Sequence, residues 1–143
     1  MDTPERVEEY LASQPEPKQT DLRQLHAHML AEFPDCRLWF NDGLNEDGKV
    51  VANANVGYGA YTIRYADGSS REFYRIGVSA NTTGISVYVL GLDDKTYLKR
   101  TYGASIGQAS VTGYCIRFKN LSVINAEALH AAIRYGMTDQ QLG

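Results

Sequence analysis

At Cys36 the apolar spacing switches from every third or fourth residue to every second, and that switch constrains the fold more than any other feature of the chain. Upstream, Val7, Tyr10 and Leu11 form one stripe and Leu22, Leu25, Met29 and Phe33 form another, the spacing of two amphipathic helices. Thr3 followed by Pro4 marks the first start, a capping hydroxyl before a residue whose missing N–H costs nothing there. Pro15 and Pro17 separate the two helices, and Pro34-Asp35 ends the second, which the spacing places over about 17–33. Downstream, Tyr61, Ile63 and Tyr65 alternate with Thr62 and Arg64. Tyr74, Ile76 and Val78 share one face opposite Arg75, and Ile85, Val87 and Val89 oppose Ser86 and Tyr88. Turn signals at Asp47-Gly48, Asp67-Gly68 and Asn81-Thr82-Thr83-Gly84 divide this run into an antiparallel meander of about five strands.

The remainder reads as a short helix over 95–102 capped by Asp93 or Asp94, then a late strand over 113–119 with Ile116 and Phe118 inward. A closing helix follows, capped by Asn125, striped by Ala128, Leu129, Ala132 and Ile133, and ending at Gly136. The expected fold is therefore α+β, with two N-terminal helices, the meander, a short helix, a late strand and a C-terminal helix, the helices packed on one face of the sheet. With no linker or repeat, 143 residues make one domain, 1–143. Ten tyrosines, most of them in the strand region, suit a half-buried sheet surface. Cys36 and Cys115 form no CxxC pair, which argues against zinc or redox chemistry, and no cofactor is expected. No segment reaches the ~18 apolar residues of a membrane span, and Met-Asp-Thr-Pro-Glu lacks the basic start of a leader, so a cytoplasmic location is expected.

The net charge of −3 is unevenly divided: residues 1–48 hold eleven acids and four bases, and residues 49–143 hold six acids and ten bases. From Lys95 to Lys119 there is no Asp or Glu at all. Lys99, Arg100, Arg117 and Lys119, with Tyr114 available for stacking, are the candidate ligand-binding residues, a patch suited to an anion. The alternative is a solvated face, or pairing with the acidic N-terminal helices. Arg117 and Lys119 share the outward face of the late strand.

Other motifs carry less. Gly103-Ala104-Ser105-Ile106-Gly107 fits G-x-S-x-G, with Glu127 and His130 downstream, but a helix precedes it where a hydrolase needs a strand, so the glycines read as turn makers. Ser105 remains a third reading, a serine hydrolase. The loop Asn41 to Gly48 is oxygen-rich but lacks the closing acid of a calcium loop and reads as a hairpin turn. His26 and His28, two apart on a helix, face different ways and cannot share a metal. Glu5, Glu8 and Glu9 share a helix face and could hold a hard cation weakly, although first-turn acids also stabilise a helix dipole.

Val7-Glu8-Glu9-Tyr10-Leu11 through Pro15-Glu16-Pro17 and Leu22, then Lys95-Thr96-Tyr97-Leu98, Gly107 and Gly113-Tyr114-Cys115-Ile116-Arg117-Phe118-Lys119, resemble the bacterial YdhG-like family of unknown function across nearly the whole chain. The resemblance implies helices against an antiparallel sheet. A relative in that family is described as a frataxin-like iron chaperone, and the resemblance would place such a role on Glu5, Glu8 and Glu9. The residues taken together lead to an expected non-catalytic binding domain for an anionic ligand or a protein surface. Neither membrane nor nucleic acid is expected as a partner, and a monomer or weak homodimer is expected.

Overall fold

The two stripes upstream of Cys36 fold as α1 (Thr3–Ala12) and α2 (Lys18–Glu32) in the computed structural model, which describes residues 2–139. The first helix starts one residue earlier than its hydroxyl suggests. Asp2 is the cap, its carboxylate accepting from the Glu5 amide at 2.9 Å, so Thr3 and Pro4 both lie inside the first turn. A carboxylate there meets the free amides and the positive end of the helix dipole at once.

The alternating region gives β1 (Leu38–Asn41), β2 (Asn55–Tyr58), β3 (Tyr61–Arg64), β4 (Ser70–Phe73), β5 (Ile76–Asn81) and β6 (Gly84–Val89). The hairpin β3–β4 stands apart as its own two-stranded sheet, so the chain is not one continuous meander. After α3 (Tyr97–Tyr102) come two late strands rather than one, β7 (Ala109–Val111) and β8 (Cys115–Phe118). The main sheet is antiparallel in the order β1-β2-β5-β6-β8-β7. Three residues with an exposed centre, Ser110, carry too little alternation to announce β7. A 3-10 turn (Leu121–Val123) leads into α4 (Ala126–Arg134), and a π turn (Tyr135–Asp139) follows it.

The helices α1 to α4 all contribute to the core on one face of the sheet, which makes the fold α+β. Val7, Leu11, Leu22, Leu25 and Met29 from α1 and α2, Leu98 from α3, and Leu129 and Ile133 from α4 share a single core with Val56, Ile76, Val78, Ile85, Val87, Ile116 and Phe118. Because side chains alternate along a strand, Gly57, Gly77, Ser79, Ser86, Tyr88, Cys115 and Arg117 face the other way. Tyr74 joins that second face rather than siding with Ile76 and Val78, because the chain bends at Arg75 before β5 begins. Its ring lies over the strip made by Gly57 and Gly77, where a Cβ on either glycine would come within 2.5 Å of the ring. Glycine here makes room for an aromatic cover, and Tyr74 is only 5% exposed.

Candidate functional site

Helix α3 is placed by Asp94. Its Oδ1 accepts from the Thr96 amide at 2.9 Å and from the Thr96 hydroxyl at 2.6 Å, and its Oδ2 accepts from Arg100 at 2.7 Å. The Thr96 hydrogen bonds, with Arg100 adding to them, hold the Asp94 carboxyl at about 2. This turn of chain before the helix explains why α3 opens at Tyr97 and not at Lys95. Leu98 anchors the helix in the core, while Tyr97 stacks on Tyr135 beyond α4 at 4.0 Å between ring centres. The polar side of α3 is thereby left facing the β7–β8 turn.

Between them lies a cleft of about 450 Å³ bounded by Lys95, Thr96, Lys99 and Arg100 on one side and Val111, Thr112 and Gly113 on the other. Gly113 sets its depth. A Cβ at that position would lie 2.9 Å from the Lys95 carbonyl oxygen, so only glycine lets the turn approach the start of α3 this closely. Arg100 is partly answered by Asp94, whereas neither Lys95 nor Lys99 has an ion pair among the described residues. Three cationic groups around a concave wall of short side chains and backbone can concentrate and hold an anion.

The remaining candidates lie elsewhere. Arg117, exposed, sits on the sheet face away from the helices, opposite Ser86 on β6 and Ser110 on β7. Lys119 is exposed just past the end of β8. Tyr114, 53% exposed at the β7–β8 turn, stacks on Tyr88 at 6.4 Å between ring centres, on that same face. The five residues therefore divide in two, with Lys99 and Arg100 in the cleft and Tyr114, Arg117 and Lys119 outside it. The acidic helices do not answer Arg117 or Lys119 among the described residues; their own pairs are Glu8 with Arg23 and Glu32 with Arg134, while Asp42 takes Arg6.

Glu5, Glu8 and Glu9 are exposed on α1, and the Arg23 guanidinium at 2.9 Å pulls the Glu8 carboxyl below its usual range. Among the described residues, no three His, Cys, Asp or Glu side chains come close enough together to hold a metal ion. Ser105 is exposed and its hydroxyl donates to the Tyr102 carbonyl at 3.4 Å. His130 stacks on His28 instead of reaching toward a nucleophile.

No family model, curated protein or solved structure matches the chain. Its own geometry must therefore carry the functional reading.

Two features had no signal in the linear pattern. Lys95, Thr112 and Gly113 join the cleft only because β7 folds back along β8 beside α3. The buried Tyr58 hydroxyl lies 2.7 Å from His26 Nδ1, and burial pushes the phenol upward and the imidazole downward. Cys36 stands near this pair, and burial raises its thiol, which keeps it protonated and a poor nucleophile at neutral pH.

Proposed function

We propose that the chain is a small, non-catalytic, cytoplasmic domain of YdhG-like type that holds an anionic ligand, or an acidic group on a partner's surface, in the cleft between α3 and the β7–β8 turn. One observation carries the reading: Lys95 and Lys99 flank a cleft of about 450 Å³ with no carboxylate of the described residues paired to either. A protein of negative net charge gains nothing in solubility from leaving two lysines unanswered around one concavity, whereas an incoming anion completes the arrangement. The family part of the proposal rests on the residues quoted above and on the helix pair before the sheet and the basic strand before the closing helix.

The test uses inorganic phosphate, titrated into the whole protein at low ionic strength and followed by amide chemical shifts. Shifts should centre on Lys95, Lys99 and Gly113. Lys95→Glu with Lys99→Glu should weaken binding at least about tenfold, since two charge-assisted contacts are each worth about 1 kcal/mol or more. Arg117→Glu with Lys119→Glu changes the net charge equally outside the cleft and should leave most of the affinity. Equal losses from the two pairs would reduce the effect to bulk charge and overturn the cleft, as would binding that neither pair alters.

A further inference from the structure

Away from the α3 cleft, α2 and α4 meet through two imidazole rings. His28 and His130 stack with centres 3.7 Å apart and planes 8° apart. Glu32, one turn on from His28, accepts from His28 Nε2 at 3.0 Å on one oxygen and from Arg134 Nε at 2.8 Å on the other. The four side chains form a chain of contacts across the helix pair, His130 on His28, His28 to Glu32, and Glu32 to Arg134. The two rings border a cleft of about 540 Å³ that is also lined by Asp21, Gln24 and Ser122.

Metal binding does not account for the pair. Ring-nitrogen lone pairs lie in the ring planes, and two parallel planes do not converge on one ion. The charged groups around the rings are few. From α2 there are Glu32 and Asp21, the latter with Oδ2 accepting from the Leu121 amide at 3.0 Å. From α4 there are Arg134 and the exposed Glu127, one turn before His130. The Leu121–Val123 turn adds none.

We infer that the His28–His130 stack is a proton-operated latch, closed when His130 is neutral and loosened when His130 takes up a proton. A cation on His130 would face the His28 ring at stacking distance and the Arg134 guanidinium, while the Glu32 carboxylate, which favours that cation, already has both oxygens engaged. Burial, then the His28 charge, lowers the His130 imidazole below its ordinary value. A group whose closed-state value is depressed binds fewer protons closed than open, so opening takes up a proton. The latch therefore weakens as pH falls below about 6.5, the value of a free imidazole. Movement of α4 away from α2 would widen the cleft beside the rings.

The measurement is amide hydrogen exchange of Leu129, Ala132 and Ile133 on α4 in the whole protein between pH 7.5 and 5.5, corrected for intrinsic exchange. Wild type should open more readily at the lower pH, by up to about tenfold one unit below the free-imidazole value. His130→Phe keeps a flat ring on His28 without a titrating group at that position, and its corrected opening should rise distinctly less than wild type's as pH falls, the remaining slope coming from His26. Parallel pH profiles in the two proteins would overturn the latch. Histidine Cε1–H resonances of wild type give an independent check that needs no variant: a His130 midpoint below 6.5 is expected, and one at or above it would overturn the inference.

Discussion

Gly77→Ala should destabilise this protein even though alanine is the better residue for most strands. The backbone at Gly77 is ordinary extended chain, so the added methyl causes no strain of its own. What it meets is Tyr74: an ideal Cβ stands 2.5 Å from Cε1, 2.8 Å from Cζ and 2.9 Å from the hydroxyl. The ring has little room to retreat, being 5% exposed and packed against Phe73 at 4.2 Å between centres. Overpacking of this kind costs about 1–3 kcal/mol. At about 2.1 cal/mol/K per residue, a chain of 143 residues has a melting entropy near 0.3 kcal/mol/K, so Tm should fall by about 3–10 °C. Urea unfolding followed by Trp39 fluorescence is a suitable assay, since Trp39 touches Phe73 beside the site, at 5.9 Å between ring centres. The decisive arm is the double variant. With Tyr74→Ala already present the clash is gone, and Gly77→Ala should become neutral or stabilising by about 0.5–1 kcal/mol, the usual advantage of alanine over glycine in a strand. A cost for Gly77→Ala that is the same with and without Tyr74 would refute the argument that glycine is there to seat the ring.

Two further outcomes follow from named contacts. Asn125→Ala should cost about 1 kcal/mol by urea denaturation, because the Asn125 side chain accepts from the amides of Glu127 at 3.0 Å and Ala128 at 3.2 Å at the start of α4. His26, lowered by burial, binds fewer protons folded than unfolded, so it contributes stability that is present above about pH 6.5 and lost as pH falls through that value. Replacing it by Gln should flatten the slope of stability against pH between 7 and 5; an unchanged slope would remove His26 from the acid response.

The sequence was most informative where a residue's role depends on near neighbours. Helix stripes, proline boundaries, the Asp67-Gly68 turn and the Asn125 cap depend on contacts within a few positions, and each appears in the structure where the pattern places it. The α3 boundary moved by two residues because Asp94 closes a tight turn first. Tyr74 changed faces because a single bend at Arg75 reverses the alternation that the pattern counts on. The candidate site was half legible. An acid-free run from Lys95 to Lys119 flags cationic character, but it cannot say that Arg117 points from the face opposite the helices while Lys99 borders a cleft.

By itself, the order of apolar and turn residues determines that this chain makes helices, then an antiparallel sheet, then a closing helix, since period 3.6 and period 2 are properties of the local backbone. Only the tertiary structure decides which distant side chains meet. His28 and His130 are 102 positions apart, and Lys95 approaches Gly113 because β7 pairs outside β8. Such pairings depend on how the sheet orders its strands and how the helices cover them, and those choices follow from the joint burial of the whole core rather than from any short stretch of sequence.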